Sequence, residues 1–263
     1  MYSPLKLSIK YLLHNLKASN GKGHGVHSPF VYDFIIKVLN GNGHHEQIAL
    51  IEKQRNDLLK NESVITVEDY GVKGDKNKIQ KRKIKDIAAT SLQNKKFAQL
   101  LHRTVNYFKA KNIIELGTSF GISTSYMALA GPSVITIEGS AEIAKVANNV
   151  FENAGVKNVE LITGTFEEKL PEVINNTNKV SLAYIDGNHR KEATINYFNL
   201  LKEKCDANSV IIFDDIHWSK GMEEAWEHIK NDKLVTLSID LFKIGIVFFR
   251  HEFKTKQHFK IRY

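Results

Sequence analysis

The run Ile113-Ile114-Glu115-Leu116-Gly117-Thr118-Ser119-Phe120-Gly121-Ile122-Ser123-Thr124 decides the fold. It reads as a short buried strand, a Gly-containing turn and the start of a helix. That is the first βα turn of a dinucleotide- or nucleoside-binding α/β sheet. Gly117 can take a backbone conformation that a side chain resists, and it lets a ligand approach the main chain. Gly121 allows close helix packing. Ser123 and Thr124 fall in the first helical turn, where free N–H groups and the positive dipole end favour a carboxylate or phosphate. Glu115 is an acid at the carboxyl end of an apolar strand, where such folds place ligands.

The spacing narrows the ligand. A nicotinamide fold needs Gly-x-Gly-x-x-Gly, and Ser119 stands where the second glycine belongs. The pattern here is Glu-x-Gly-x-x-x-Gly. It resembles the first motif of class I S-adenosylmethionine-dependent methyltransferases. Glu-Leu-Gly-Thr-Ser-Phe-Gly-Ile-Ser is most similar to the catechol and caffeoyl-CoA type of O-methyltransferase. A plain tight turn is the bland alternative.

Working outward, strands and helices alternate. The strands read as 112–116, 133–137, 158–163, 180–186 and 208–213. The helices between them read as 121–130, 140–154, 166–175 and 190–204, with another at 221–230. This predicts a largely parallel sheet with helices on both faces. Leu234 to Ile239 and Gly245 to Arg250 are joined by Asp240 to Ile244, too short for a helical crossover, so they are antiparallel. The expected fold class is α/β, a doubly wound Rossmann-like methyltransferase sheet, mostly parallel with an antiparallel last strand. The tail, His251 to Tyr263, is a candidate edge strand.

Residues 1–91 read as a helical N-terminal extension or lid, and 92–263 as the methyltransferase core. Leu5, Ile9, Leu12, Leu13 and Leu16 recur at helical spacing among Lys6, Lys10 and Lys17. Such a basic amphipathic helix packs on its own domain or on a second subunit; a membrane surface is the alternative. Ser28-Pro29 is an N-cap followed by a first-turn proline. A helix runs from there to Asn40-Gly41. Further helices are expected to about Lys60, around Ile84 to Ala88, and from Phe97 to Phe108. Val64 to Val67 reads as extended and Glu68 to Lys78 as a polar loop. His24, His27 and the loop around Asp69-Tyr70 are candidates for a substrate-selecting lid. His44 and His45 carry less, because adjacent side chains diverge on a helix.

The chain has 263 residues and a formal net charge of +8. Its lysines are scattered, and the densest cluster, Lys76 to Lys85, lacks the interleaved aromatics of a single-strand-binding surface. A solvated basic surface is preferred to nucleic acid. Cys205 is the only cysteine, which excludes an internal disulfide and a four-cysteine zinc site. It reads as structural. No run of about 18 apolar residues is present, and no signal peptide is read at Met1 to Lys10. The expected setting is cytoplasmic and reducing.

The chemistry-bearing residues end the strands. Glu138 follows the second strand, 21 residues beyond Gly117. There an acid can accept from both ribose hydroxyls. By resemblance Gly164-Thr165-Phe166 lies beside the adenine. The expected S-adenosylmethionine-binding residues are Glu115, Gly117, Thr118, Ser119, Gly121, Ser123, Glu138, Gly139, Thr165, Phe166 and Asp186.

Asp186 ends the fourth strand, and Asp214 and Asp215 end the fifth. Three converging carboxylates repel unless something neutralises them, and oxygen ligands suit Mg²⁺ or another divalent cation. The resembled metal-dependent enzymes carry an Asp and then an Asp-Asn pair at these places, so Asp186, Asp214 and Asp215 are the candidate metal ligands, with Asp215 replacing Asn. Asp215 could instead hold His217. The family's general-base lysine, three residues after the first Asp, is His189 here. Histidine can accept a hydroxyl proton near neutrality. His189 and Asp186 are the expected catalytic pair, and a Gly-rich helix-capping turn is the alternative. His217 and Trp218 are candidates for the acceptor side, while Trp226 packs its helix on the sheet.

The resemblance therefore implies O-methyl transfer from S-adenosylmethionine to a small hydroxylated acceptor, with a homodimer as a further expectation. An RNA or protein methyltransferase is the second reading, lowered by the absence of an Asn/Asp-Pro-Pro-Tyr/Phe motif. A non-catalytic nucleoside-binding module is the third, and a nicotinamide dehydrogenase the last.

Overall fold

The computed structural model describes residues 1–42, 45–69 and 78–263. The chain divides into two compact units. One comprises Met1–Asn42 with Thr177–Tyr263, and the other Gly43–Asn176.

The first unit begins with α1 (Pro4–Lys17) and α2 (Pro29–Phe34), which continues as one π-helical turn, Ile35–Leu39. Ser3 and Ser28 cap the two helices by accepting the Lys6 and Val31 N–H groups, each followed by proline at the first helical position. The amphipathic pattern of α1 is real, but its apolar stripe is exposed. Leu5 is 73% and Leu16 78% accessible. The helix is fastened through its polar residues instead. Lys10 and Tyr2 reach Glu223, His14 is buried, and Tyr11 meets Phe242 edge-on.

The second unit runs α3 (Ile48–Leu58), β1 (Val64–Asp69), β2 (Lys78–Lys83), α4 (Ile84–Ser91), α5 (Lys95–Phe108), β3 (Asn112–Leu116), α6 (Ile122–Ala128), β4 (Ser133–Glu138), α7 (Ala141–Ala154), β5 (Val159–Thr163) and α8 (Phe166–Asn176). Strands β3, β4 and β5 are parallel, with β4 in the middle. Strand β2 was not expected: Lys78 to Lys83 pairs antiparallel with β1. Of the polar loop expected over 68–78, only residues 68, 69 and 78 are described, and they lie in these strands. Strand β2 was illegible because backbone hydrogen bonds hold it, and its only apolar residue, Ile79, is exposed. The expectations for His44 and Tyr70 fall outside the described residues.

The chain returns to the first unit with β6 (Leu182–Ile185), α9 (Lys191–Lys202), β7 (Val210–Phe213), α10 (Lys220–Lys230), β8 (Leu237–Asp240), β9 (Gly245–Phe248) and β10 (Gln257–Lys260). Strands β6 and β7 are parallel; β9 is antiparallel to both β7 and β8. The tail supplies edge strand β10, parallel to β8. All four residues of β6, β7, β8 and β9 are buried, the signature of strands covered on both faces. Trp226 of α10 lies against Gly245, where a Cβ would sit 2.7 Å from its ring. Among the described residues no helix is long and apolar enough to cross a membrane.

Candidate active site

In the second unit, β3 ends in a turn bent by Gly117 (φ 101°) and Ser119 (φ 48°) and closed by Gly121 (φ 78°) at the start of α6. The Gly117 and Thr118 N–H groups donate to the Ile137 carbonyl and fix the turn on β4. Gly121 packs against α7: a Cβ there would lie 2.5 Å from the Phe151 ring.

Glu138 stands at the end of β4. One carboxylate oxygen accepts the Ser119 N–H at 2.9 Å, the other the Ser140 N–H at 3.0 Å. Burial raises its pKa, while N–H groups of Ser140, Ser119 and Gly139 oppose the rise. A carboxylate has about four acceptor positions, so this one is oriented by the turn and retains acceptor capacity.

Glu115 faces the interior. It is fully buried and accepts from the hydroxyls of Ser123 (2.6 Å), Thr136 (2.7 Å) and Thr124. Burial pushes its carboxyl up to about 7 despite these bonds. Thr118 also hydrogen-bonds Thr136. Glu115 thus ties strand, turn and helix together, and Ser123 spends its hydroxyl on it. Thr165 caps α8 by accepting the Glu168 N–H at 3.3 Å, and half-buried Phe166 starts that helix.

In the first unit, paired strands β6 and β7 bring their ends together. The Asp214 N–H donates to the Ile185 carbonyl. Asp186 accepts from Tyr184 Oη at 2.9 Å. His189 Nε2 lies 3.8 Å from Asp186, and the His189 ring centroid is 5.3 Å from that of Trp218. Asn188 and His189 both take positive φ, 65° and 36°. The turn is braced by Asn188 donating to Tyr197 Oη and accepting from Arg190. The sequence expectation missed Lys243. Its Nζ lies 3.5 Å from Asp214 Oδ2.

The cluster is electrostatically tense. Burial and Asp215 push Asp186 up to about 6, and burial and Asp186 push Asp214 up to about 7. Asp215 is raised too, by burial and Asp214. Burial alone would lower Lys243, but attraction to Asp214, Asp215 and Asp186 outweighs it and raises it. The alternative that Asp215 holds His217 is corrected: His217 hydrogen-bonds Glu223 and Asp240, each at 3.0 Å. His24 and His27 lie exposed before α2. Cys205 contacts the Leu201 carbonyl, and burial pushes its thiol up to about 12, an inert setting.

Residues 114–216 match the family described as "Methyltransferase domain". A catechol O-methyltransferase from Niastella koreensis is 32% identical over 126 residues, 46% of this chain and 55% of that protein. The chain thus matches about half the length of that curated relative. The fold is similar to an O-methyltransferase from Bacillus cereus in complex with S-adenosylhomocysteine, TM-score 0.53 at 24% identity, covering 60% of this chain and 83% of that one. It is also similar to an S-adenosylhomocysteine-bound methyltransferase from Podospora anserina, TM-score 0.58 at 15% identity, covering 85% and 97%. The Rossmann-like methyltransferase fold class is therefore the one adopted, and the resemblance read from the Gly turn holds.

Proposed function

We propose that this chain is an S-adenosylmethionine-dependent methyltransferase acting on the oxygen of a small hydroxylated acceptor. The observation that carries the reading is Glu138. Its half-buried carboxylate is aimed by the Ser119 N–H of a Gly turn inside the matched segment, and it keeps acceptor positions for a vicinal diol. When bound, the cofactor supplies an electrophilic methyl group on a sulfonium. Gly117, Thr118, Ser119, Gly139, Thr165 and Phe166 are assigned to the nucleoside with Glu138. Glu115, Gly121 and Ser123 serve it indirectly, by holding the turn.

Asp186, His189 and Trp218 are assigned to the acceptor. His189 takes the hydroxyl proton, and Asp186, 3.8 Å away, steadies the resulting imidazolium. Loss of that proton sharpens the oxygen as a nucleophile, and alignment supplies most of the remaining rate. Asp186 retains its second assignment to the cofactor.

A divalent metal on Asp186, Asp214 and Asp215 is the second reading. The donors are hard oxygens, which suits Mg²⁺. The Lys243 ammonium, 3.5 Å from Asp214, already supplies countercharge to these acids. No step is assigned to a metal. The acceptor-selecting role of residues 1–91, the lid role of His24 and His27, a homodimer through the exposed stripe of α1, and a cytoplasmic setting belong to the same proposal.

The test is calorimetric titration of the full chain with S-adenosylhomocysteine, with and without Mg²⁺, followed by turnover on catechol-like acceptors. Micromolar binding, lost in Glu138→Ala, supports the cofactor assignment. Absence of binding to folded protein sinks it. A Mg²⁺-dependent gain lost in Asp214→Asn would establish the second reading.

A further inference from the structure

A further cluster, found among the described residues, lies where α1 meets β8. His14, His217 and Asp240 come from three separate segments: α1, the β7–α10 loop and the end of β8. One donor atom from each lies within 4.8 Å of the other two. His14 and Asp240 are buried, at 6% and 5% accessibility. We propose that these three side chains form a binding site for a transition-metal dication of the zinc class, which clips α1 to the sheet. The inference does not depend on the methyltransferase reading.

His14 carries the argument. Its Nε2 lies 3.5 Å from the Ile261 carbonyl, which can only accept, so the proposed site takes the tautomer with the ring proton on Nε2. Nδ1 then presents a lone pair to Asp240 Oδ1 at 3.5 Å. This buried nitrogen has no hydrogen-bond partner. A lone pair facing a carboxylate is repulsive unless a cation lies between them. Protonating the ring instead would bury a charge at a bond longer than a good hydrogen bond.

The geometry agrees. Two donors each about 2.1 Å from a tetrahedral ion stand about 3.4 Å apart. His14 Nδ1 to Asp240 Oδ1, at 3.5 Å, has that spacing; His217 Nε2 to Asp240 Oδ2, at 3.0 Å, is a hydrogen bond whose proton the metal ion would displace. Each histidine also has the outer partner that metal-bound imidazoles use, an acceptor on the far nitrogen. For His14 it is the Ile261 carbonyl. For His217 it is Glu223, 3.0 Å from Nδ1 and itself held by Lys10 and Tyr2. Phe242 covers both rings, at 5.5 and 5.1 Å between centroids. Two imidazoles and one carboxylate suit Zn²⁺, Co²⁺ or Fe²⁺ rather than Mg²⁺ or Ca²⁺.

The experiment uses the full chain, stripped with a chelator and titrated with Zn²⁺ against a chromophoric competitor. A parallel Co²⁺ titration is read by visible absorption. One tight equivalent is expected in wild type, with Co²⁺ bands of a four- or five-coordinate ion. Both are lost in His14→Gln and Asp240→Asn and kept in Asp214→Asn. Glu223→Gln weakens binding about 10- to 100-fold. X-ray absorption of the wild-type zinc complex should show two imidazole ligands, a readout that stands even if a variant does not fold. No stoichiometric binding by wild type overturns the site, as do unchanged affinity in both ligand variants, loss in Asp214→Asn alone, or an all-oxygen shell. If His217 merely forms an ion pair with Asp240, wild type shows no tight equivalent.

Discussion

Replacing Lys243 with methionine should destabilise the protein in a strongly pH-dependent way. The three acids beside it have folded pKa values above their unfolded ones, about 6 for Asp186, about 7 for Asp214 and a raised value for Asp215. Between the unfolded value near 4 and about 7 the folded state binds more protons, so stability falls as pH rises through that window. Above it the full penalty of ionised, buried carboxylates is present, and Lys243 offsets it. At 3.5 Å from Asp214, and with an effective dielectric of about 20, the attraction is about 5 kcal/mol. The Lys243 side chain is 33% accessible, so screening reduces this; about 3 kcal/mol is the expected loss at pH 8.5, the low end for breaking a buried pair. At pH 5 Asp186 and Asp214 are largely protonated in the folded state. The lysine then has little to balance, and the loss should shrink to about 1 kcal/mol or less. Urea unfolding followed by far-UV circular dichroism at the two pH values measures the difference. An equal loss at both, or a larger loss at pH 5, would refute the cluster as described.

Other outcomes follow from residues of each unit taken separately. Glu138→Gln should weaken S-adenosylhomocysteine binding about 10- to 100-fold, because charge-assisted hydrogen bonds contribute about 1.5–3 kcal/mol each; unchanged calorimetric affinity would remove Glu138 from the cofactor. His189→Gln should lower kcat about 10²- to 10⁴-fold with little change in S-adenosylhomocysteine affinity, read by coupled turnover and calorimetry on one preparation. Gly121→Ala meets both a positive φ of 78° and the Phe151 ring 2.5 Å from the new Cβ; about 2–4 kcal/mol of destabilisation is expected, measured as a fall in the urea midpoint. Ser28→Ala should cost about 1 kcal/mol through loss of the α2 cap, visible in the same assay.

The sequence was most legible where local pattern and tertiary environment agree. Ile113 and Ile114 announce β3, the apolar runs announce β6 and β7, and the five-residue link after Ile239 forces an antiparallel turn. The Glu138 position followed from its distance to Gly117. Glu115 was legible only as a strand-end acid. That Ser123, Thr124 and Thr136 would converge on it from a helix and a neighbouring strand is a tertiary fact. Lys243 escaped notice because a lysine in a hairpin link reads as solvated. The signal was in the topology: β9 runs antiparallel to β7, so Gly245 pairs with Phe213, and the link delivers Lys243 beside Asp214. His14, His217 and Asp240 carry no spacing signature, since the first two lie 203 positions apart in sequence. Strand β2 shows the opposite failure, an element with no apolar periodicity to read.

The fastening of α1 has a consequence for synthesis. Lys10 pairs with Glu223, 213 residues downstream, and Ser19 donates its N–H to the Lys260 carbonyl. At about 5–20 residues per second of translation, the first helix leaves the ribosome about 10 to 40 s before its first anchor exists. Residues 43–176 can condense during that wait. The helix cannot dock during it, because Glu223 and Lys260 are not yet made. The docking of α1 therefore waits on segments made more than 200 residues later.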